Sequence, residues 1–269
     1  TKVPTPLPTS LPTPLPSRSP TPYPSPVPTI SPQPTPLPSP EPSTSQPPTP
    51  VPTVTFSPTE DRVRVSTQSA LQSALYTCCG KVIVVEDDID LSSSCLKIYY
   101  DATIMSHTNA ALNGWSTNER RVMDITSGKV TISGITLRSG SASNSGCVSI
   151  SGTSTEVTFR SSTFQACYST TYGGAIYSYQ AALVVESSMF LSCSSLYNGG
   201  AIYYRSDTTY QSNWGNQQLT VRSTTFEANT AKNAGGGAIS LYYYAPALIT
   251  STTFLSNSAN GQGGAIYTN

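Results

Sequence analysis

One pentapeptide settles most of what this chain can become. Gly173-Gly174-Ala175-Ile176-Tyr177 recurs as Gly199-Gly200-Ala201-Ile202-Tyr203, as Gly236-Gly237-Ala238-Ile239-Ser240 and as Gly263-Gly264-Ala265-Ile266-Tyr267. Nine or ten residues before each copy stands Phe164, Phe190, Phe226 or Phe254, and three residues after each Phe come Cys167, Cys193, Asn229 and Asn257. The Phe spacings are 26, 36 and 28, so one unit carries an insertion, the polar stretch from Arg205 to Gln218 that contains Trp214. A degenerate copy begins at Val130, with Leu137 in the Phe slot and Gly146-Cys147-Val148 near the glycine slot.

Counting back from each Phe exposes a strand. Seven residues before it are Val130, Val157, Leu183, Leu219 and Ala247, and five before are Ile132, Phe159, Val185, Val221 and Ile249. Apolar residues two apart share one face of a β-strand. Three before the Phe is Gly134, Ser161, Ser187, Ser223 or Ser251, a small residue suited to a corner. Each unit is therefore read as about three short strands joined by tight turns. A single coil of this kind cannot cover its own apolar side, so its neighbours must lie about 4.8 Å above and below it. The predicted fold is all-β, a right-handed parallel β-helix in which equivalent residues stack into ladders. Phe164, Phe190, Phe226 and Phe254 form one ladder, and Asn229 and Asn257 another. The paired glycines are expected to turn a corner with positive φ and to let adjacent backbones approach. Propeller blades and leucine-rich repeats have different periods and motifs, which are absent.

The start of the chain is a different material. Of 23 prolines, 22 lie within residues 1–58, whereas all 18 glycines and all six cysteines follow Ser57. Proline at nearly every second position removes backbone donors and forbids helix, predicting an extended polyproline-II arm with a reach on the order of 150 Å or more. The arm resembles O-glycosylated stalks and hydroxyproline-rich wall glycoproteins; a ligand for SH3-like modules is the alternative. Two segments are expected: a disordered Ser/Thr/Pro-rich stalk over 1–58, and a β-helix over 59–269 whose last repeat stops in mid-motif, suggesting truncation. Between them, residues 66–77 read as a helix. Ser66 or Thr67 caps it, Ala70, Leu71, Ala74 and Leu75 form its apolar face, and Gly80 ends it. Strands follow at Val82–Val85, Leu96–Tyr100 and Val122–Ile125. The helix is the predicted plug of the otherwise open first coil.

The pairing of Gly-Gly-Ala-Ile with Phe-x-x-Asn resembles the repeat of the polymorphic membrane proteins, chlamydial autotransporter adhesins with β-helical passengers. Phe226-Glu227-Ala228-Asn229 and Phe254-Leu255-Ser256-Asn257 match fully, while the units at Phe164 and Phe190 carry Cys in place of Asn. The resemblance spans about residues 130–269; residues 66–139 look like the start of a general pectin-lyase-like β-helix. It implies an extracellular or cell-surface location, in an outer membrane or a cell wall, and an adhesive or wall-structural role.

Composition and chemistry point the same way. Fourteen basic and 14 acidic side chains balance, which argues against nucleic acid as a partner, and no apolar run is long enough for a transmembrane helix. Many β-helices cleave polysaccharides with grouped carboxylates, often beside an Arg, Lys or His. Here His107 lies outside the repeats, Asp207, which follows Asp124 as the last Asp, lies in the insertion, and Glu156, Glu186 and Glu227 are the remaining candidates within the repeats. Arg160, Glu186 and Arg222 should stack as a surface ion ladder rather than a catalytic pair. No catalytic residue, cofactor or metal site is expected; the run Glu86, Asp87, Asp88 and Asp90 reads as a solvated turn, with calcium as its alternative. The rival to a non-catalytic protein is a carbohydrate-active β-helix whose catalytic turns lie beyond Asn269.

Cys167 and Cys193 occupy one slot in consecutive coils, within disulfide range, and are predicted to bond. The alternative is two buried thiols. Cys95 is expected to pair with Cys78 or Cys79, and Cys147 to take the remaining one or stay free. Finally, Tyr177, Tyr203 and Tyr267 follow the ladder Ile and should point outward. With Tyr204, Tyr242, Tyr243 and Tyr244 they form an aromatic strip for surface glycans or another protein, or a ladder that merely stabilises the sheet.

Overall fold

The structure, a computed structural model, describes residues 62–77, 80–115, 120–206, 217–243 and 245–269. The proline-rich arm, Cys78, Cys79, Trp214, Tyr244 and most of the insertion lie outside them. The described chain is a parallel β-helix. Four sheets run along it. The first has eight strands, from Arg62–Val65 to Ala247–Thr250; the second has seven, from Ile89–Asp90 to Thr253–Leu255. A third, five-stranded sheet runs from Ser141–Asn144 to Ser258–Ala259, and a fourth of seven strands from Leu96–Ile98 to Ile266–Thr268. A repeat thus holds four strands, not about three. The one missed is the third sheet, whose later members Ser194–Ser195, Thr230–Ala231 and Ser258–Ala259 are two residues long and carry no apolar alternation.

The ladders pair as the repeat requires. Phe164 lies beside Phe190, Phe190 beside Phe226 and Phe226 beside Phe254. Their rings stack at 4.5, 4.6 and 5.1 Å. The apolar pairs seven and five residues before each Phe are buried from Val130 to Val221, so they face the core. Stacking also reaches back to coils without the pentapeptide: Ile89 and Leu112 fill the Phe slot, ahead of Leu137.

Corners have a residue-level cause. Ser161, Ser187, Ser223 and Ser251 adopt φ of 46–49°, beside Gly134 at 64°. The next residue carries an inward hydroxyl: Ser188 Oγ accepts from Ser162 N–H and donates to Glu186 O, and Thr224 Oγ1 repeats the pattern one coil on. Buried hydroxyls thereby pair the Ser162 and Ser188 N–H groups at the bend, while donating to carbonyls that the ladder already uses.

The two glycines of the pentapeptide do different things. Gly199 has φ of 71°, a left-handed corner. Gly200 instead lets coils touch: a Cβ there would sit 2.6 Å from Thr230 N and closer still to the Gly237 carbonyl oxygen.

Helix α1 spans Gln68–Thr77. Thr67 caps it, accepting from Ala70 N–H at 3.2 Å, and Gly80 follows its end at φ 79°. Leu71, Ala74 and Leu75 are buried, but Ala70 is exposed, so the apolar face is narrower than the sequence suggests. The helix closes the first edge of the fourth sheet through its glutamines. Gln72 donates to Lys97 O and accepts from Lys97 N–H, at 3.1 and 3.0 Å. Gln68 does the same for Ser94 O and Ser93 N–H, at 2.6 and 3.3 Å. Two side-chain amides stand in for a missing strand, which answers the open-edge problem.

Candidate functional site

The Asn slot shows what Phe-x-x-Asn does. Asn229 Nδ2 donates to Phe190 O at 3.0 Å while its Oδ1 accepts from Cys193 N–H at 3.0 Å. Asn257 repeats this one coil later, donating to Phe226 O and accepting from Asn229 N–H. Each side chain satisfies two backbone groups of the preceding coil. In the same slot the Cys193 thiol donates to Phe164 O at 3.6 Å, and burial pushes it up to about 12 from 9.0. The motif holds coils together.

That geometry overturns the expected Cys167–Cys193 disulfide. Cys167 bonds Cys147, with Cα atoms 5.6 Å apart, and Cys193 is a buried free thiol. Side chains in one slot run parallel, each aimed at the carbonyl below it, so neighbours in the slot do not point at each other. Cys147 occupies the position that Ala175, Ala201 and Ala238 take in later pentapeptides. Its coil comes within reach because Gly146 passes against the Tyr168 backbone; a Cβ on Gly146 would lie 2.5 Å from Tyr168 O. Cys95 is a free, half-buried thiol donating to Asp124 Oδ2 at 3.5 Å; burial, then the Asp124 charge, raises its pKa. Its expected partners are outside the described residues.

The tyrosine strip divides. Tyr204 is core, fully buried, its hydroxyl donating to Ala181 O at 2.7 Å. Side chains alternate along Ile202–Arg205, so Tyr203 and Tyr204 cannot share a face. Tyr203 does face outward but is only 3% exposed. It is stacked on Tyr172 at 4.8 Å and on Tyr177 at 5.5 Å, with Tyr242 tilted against it at 5.9 Å. These rings are largely consumed by one another. Tyr177, Tyr242 and Tyr267 are half-buried, and Tyr243, 47% exposed, meets Tyr242 edge-on.

Several charged groups pair along the outer faces. Glu186 pairs with Arg160 at 3.0 Å and with Arg222 at 3.9 Å, the expected ladder. In the acidic run, Glu86 pairs with Arg64, Asp88 accepts from Ala111 N–H at 2.7 Å and pairs with Arg138 at 3.2 Å, and Asp90 accepts from Asn113 at 2.6 Å. Among the described residues no three His, Cys, Asp or Glu side chains converge on a common point.

One feature had no signal in the repeats. A cleft of about 670 Å³ opens between the outer face of α1 and residues 88–94, with Ser69, Ser73, Tyr76, Asp88, Asp90 and Ser92 on its walls. Its walls come from the helix and from residues 88–94, neither of which belongs to the periodic sequence pattern.

Among the described residues no helix is long and apolar enough to cross a membrane. No curated protein and no solved structure matches the chain. The family model of the Chlamydia polymorphic membrane protein repeat does match, over residues 251–269, so the last coil of this parallel β-helix is similar to a repeat of that type.

Proposed function

We propose that this chain is a non-catalytic, extracellular or cell-surface β-helix, adhesin-like or wall-structural, carried on its proline-rich arm. The observation that supports the reading is the match of the last coil to a membrane-protein repeat, together with the ladders that extend the same unit through the preceding coils. Such a rod presents repeated outer positions at fixed spacing while its motif residues are occupied in stacking. The partner face, for a glycan or another protein, narrows to the accessible members of the tyrosine row: Tyr177, Tyr242, Tyr243 and Tyr267.

Antibody against the purified chain tests this on intact and permeabilised cells of the source organism. Staining of intact cells, with purified chain on beads adhering to those cells, is the expected result. Staining only after permeabilisation overturns the location. Release of reducing sugar from a panel of wall polysaccharides overturns the non-catalytic role.

A further inference from the structure

We infer that the cleft beside the outer face of helix α1 is a binding site for a small neutral saccharide, which goes beyond the surface role and does not depend on it. The cleft, about 670 Å³, falls within the size range of small-molecule sites. Its described lining is hydroxyls, side-chain amides, two carboxylates, one aromatic ring and Ile89, without a lysine or arginine. A sugar presents an apolar C–H face and a rim of hydroxyls, and both find partners here. Tyr76, 47% exposed, supplies the ring. Tyr99 stacks on it at 6.2 Å with planes 21° apart and does not line the cleft, so it braces the ring from outside.

The polar groups are held in place before any ligand arrives. Asp90 is oriented by Asn113, and Asp88 by Ala111 N–H and Arg138. The segment carrying Ser92 to Ser94 is clamped twice. Arg120 donates to Ser92 O at 2.8 Å and to Ser93 O at 2.7 Å, and the Gln68 amide bonds Ser93 and Ser94. A pre-ordered wall costs a ligand little further entropy. Carboxylates make strong acceptors for sugar hydroxyls. Asp88 is offset by the Arg138 guanidinium, but Asp90, held by the neutral Asn113 amide, keeps its charge and disfavours phosphates and acidic sugars. Asp88 already engages an N–H and a guanidinium, which leaves it a poor start for a cation site.

The test is amide chemical-shift mapping of the full chain against glucose, galactose and cellobiose, with glucuronate as the charged counterpart of glucose. At least one neutral sugar is expected to move the amides of Ser69–Tyr76 and Asp88–Ser94, with glucuronate at least about tenfold weaker. Tyr76→Ala is expected to weaken binding about tenfold, through loss of the stacking surface. Ser69→Trp, which fills the cleft from an exposed helix position, should abolish it, and it decides the matter if Tyr76→Ala disturbs folding. Any of four results overturns the inference: no neutral sugar shifts these amides, glucuronate binds equally well, Ser69→Trp binds like the parent, or calcium alone moves the same set. None of these bears on the cell-staining result, so the two readings fail separately.

Discussion

Replacing Gly200 by alanine adds one methyl group where two coils touch. The new Cβ would lie 2.6 Å from Thr230 N, 2.7 Å from Thr230 C and closer still to the Gly237 carbonyl oxygen, all of them backbone atoms. No side-chain rotation relieves this, so the coils must separate by several tenths of an ångström to about 1 Å. Three hydrogen bonds cross the same gap: Gly200 N–H to Gly236 O at 3.0 Å, Ala201 N–H to Ala238 O at 3.0 Å and Ile202 N–H to Ala238 O at 2.9 Å. Stretched by that amount they are lost or badly weakened, and buried groups left unpaired cost about 1–3 kcal/mol each. The expected loss is therefore about 3 kcal/mol or more, reaching the range of severe core substitutions.

Gly264→Ala is the control. It holds the same motif position, yet in this 269-residue chain its added Cβ would meet only Asn257 O, at 3.6 Å, an ordinary contact. Urea unfolding followed by circular dichroism should show Gly200→Ala strongly destabilised and Gly264→Ala within about 1 kcal/mol of the parent. Equal losses would show that the second glycine serves its own coil, and an innocuous Gly200→Ala would remove the close-approach argument altogether.

Asn229→Ala strands Phe190 O and Cys193 N–H in the interior and should cost about 2–4 kcal/mol in the same unfolding assay; Cys193→Asn, which restores the motif, should stay within about 1 kcal/mol. A nonreduced digest should yield a Cys147–Cys167 cross-link, with Cys193 alkylated only after denaturation; a Cys167–Cys193 cross-link would contradict the slot geometry. Because Cys193 holds its proton to about pH 12 in the fold and loses it near 9.0 unfolded, its stabilising effect is complete below pH 9 and declines as pH rises toward 12. On the order of 1 kcal/mol should already be lost by pH 10, and Cys193→Asn should flatten that slope in melts between pH 8 and 10. Gln72→Ala frees both Lys97 backbone groups at the first edge and should lower stability by about 1 kcal/mol while increasing light scattering on standing.

The β-helix was legible because its ladders are written in residues that recur. The Phe column, the strand pair before it and the Ser corners all follow from counting, and their pairing agrees with the register at Phe164, Phe190, Phe226 and Phe254. What escaped counting has physical reasons. The third sheet pairs through strands as short as Ser194–Ser195, which carry no alternation to detect. Coils before Val130 stack by shape alone, with Ile89 and Leu112 where later coils place Phe. The disulfide depended on where a side chain points within a slot, since Cα spacing alone permits both Cys193 and Cys147 as partners. The tyrosine strip assumed that neighbours in sequence share a face, which the alternation of Tyr203 outward and Tyr204 inward forbids.

These corrections share a direction, and it bears on function. Within the inner coils, residues that define the repeat are occupied by the neighbouring coil: Gly200 by the Gly237 carbonyl, Asn229 by Phe190 and Cys193, Ser188 by Ser162, and even Tyr203 by Tyr172 and Tyr177. Groups so engaged have little left to offer a partner, since binding through them would first break contacts that hold the rod together. Surface left for a partner then lies on the half-buried outer tyrosines and where the repeat is broken. In the described residues two such places stand out: the exposed Tyr243, where the chain leaves the fourth sheet at a left-handed φ of 53°, and the first coil, where a helix replaces a strand and leaves a polar cleft behind it. A solenoid can therefore keep its motif fixed from coil to coil and vary its specificity at the irregular ends and insertions without touching the ladders that stabilise it.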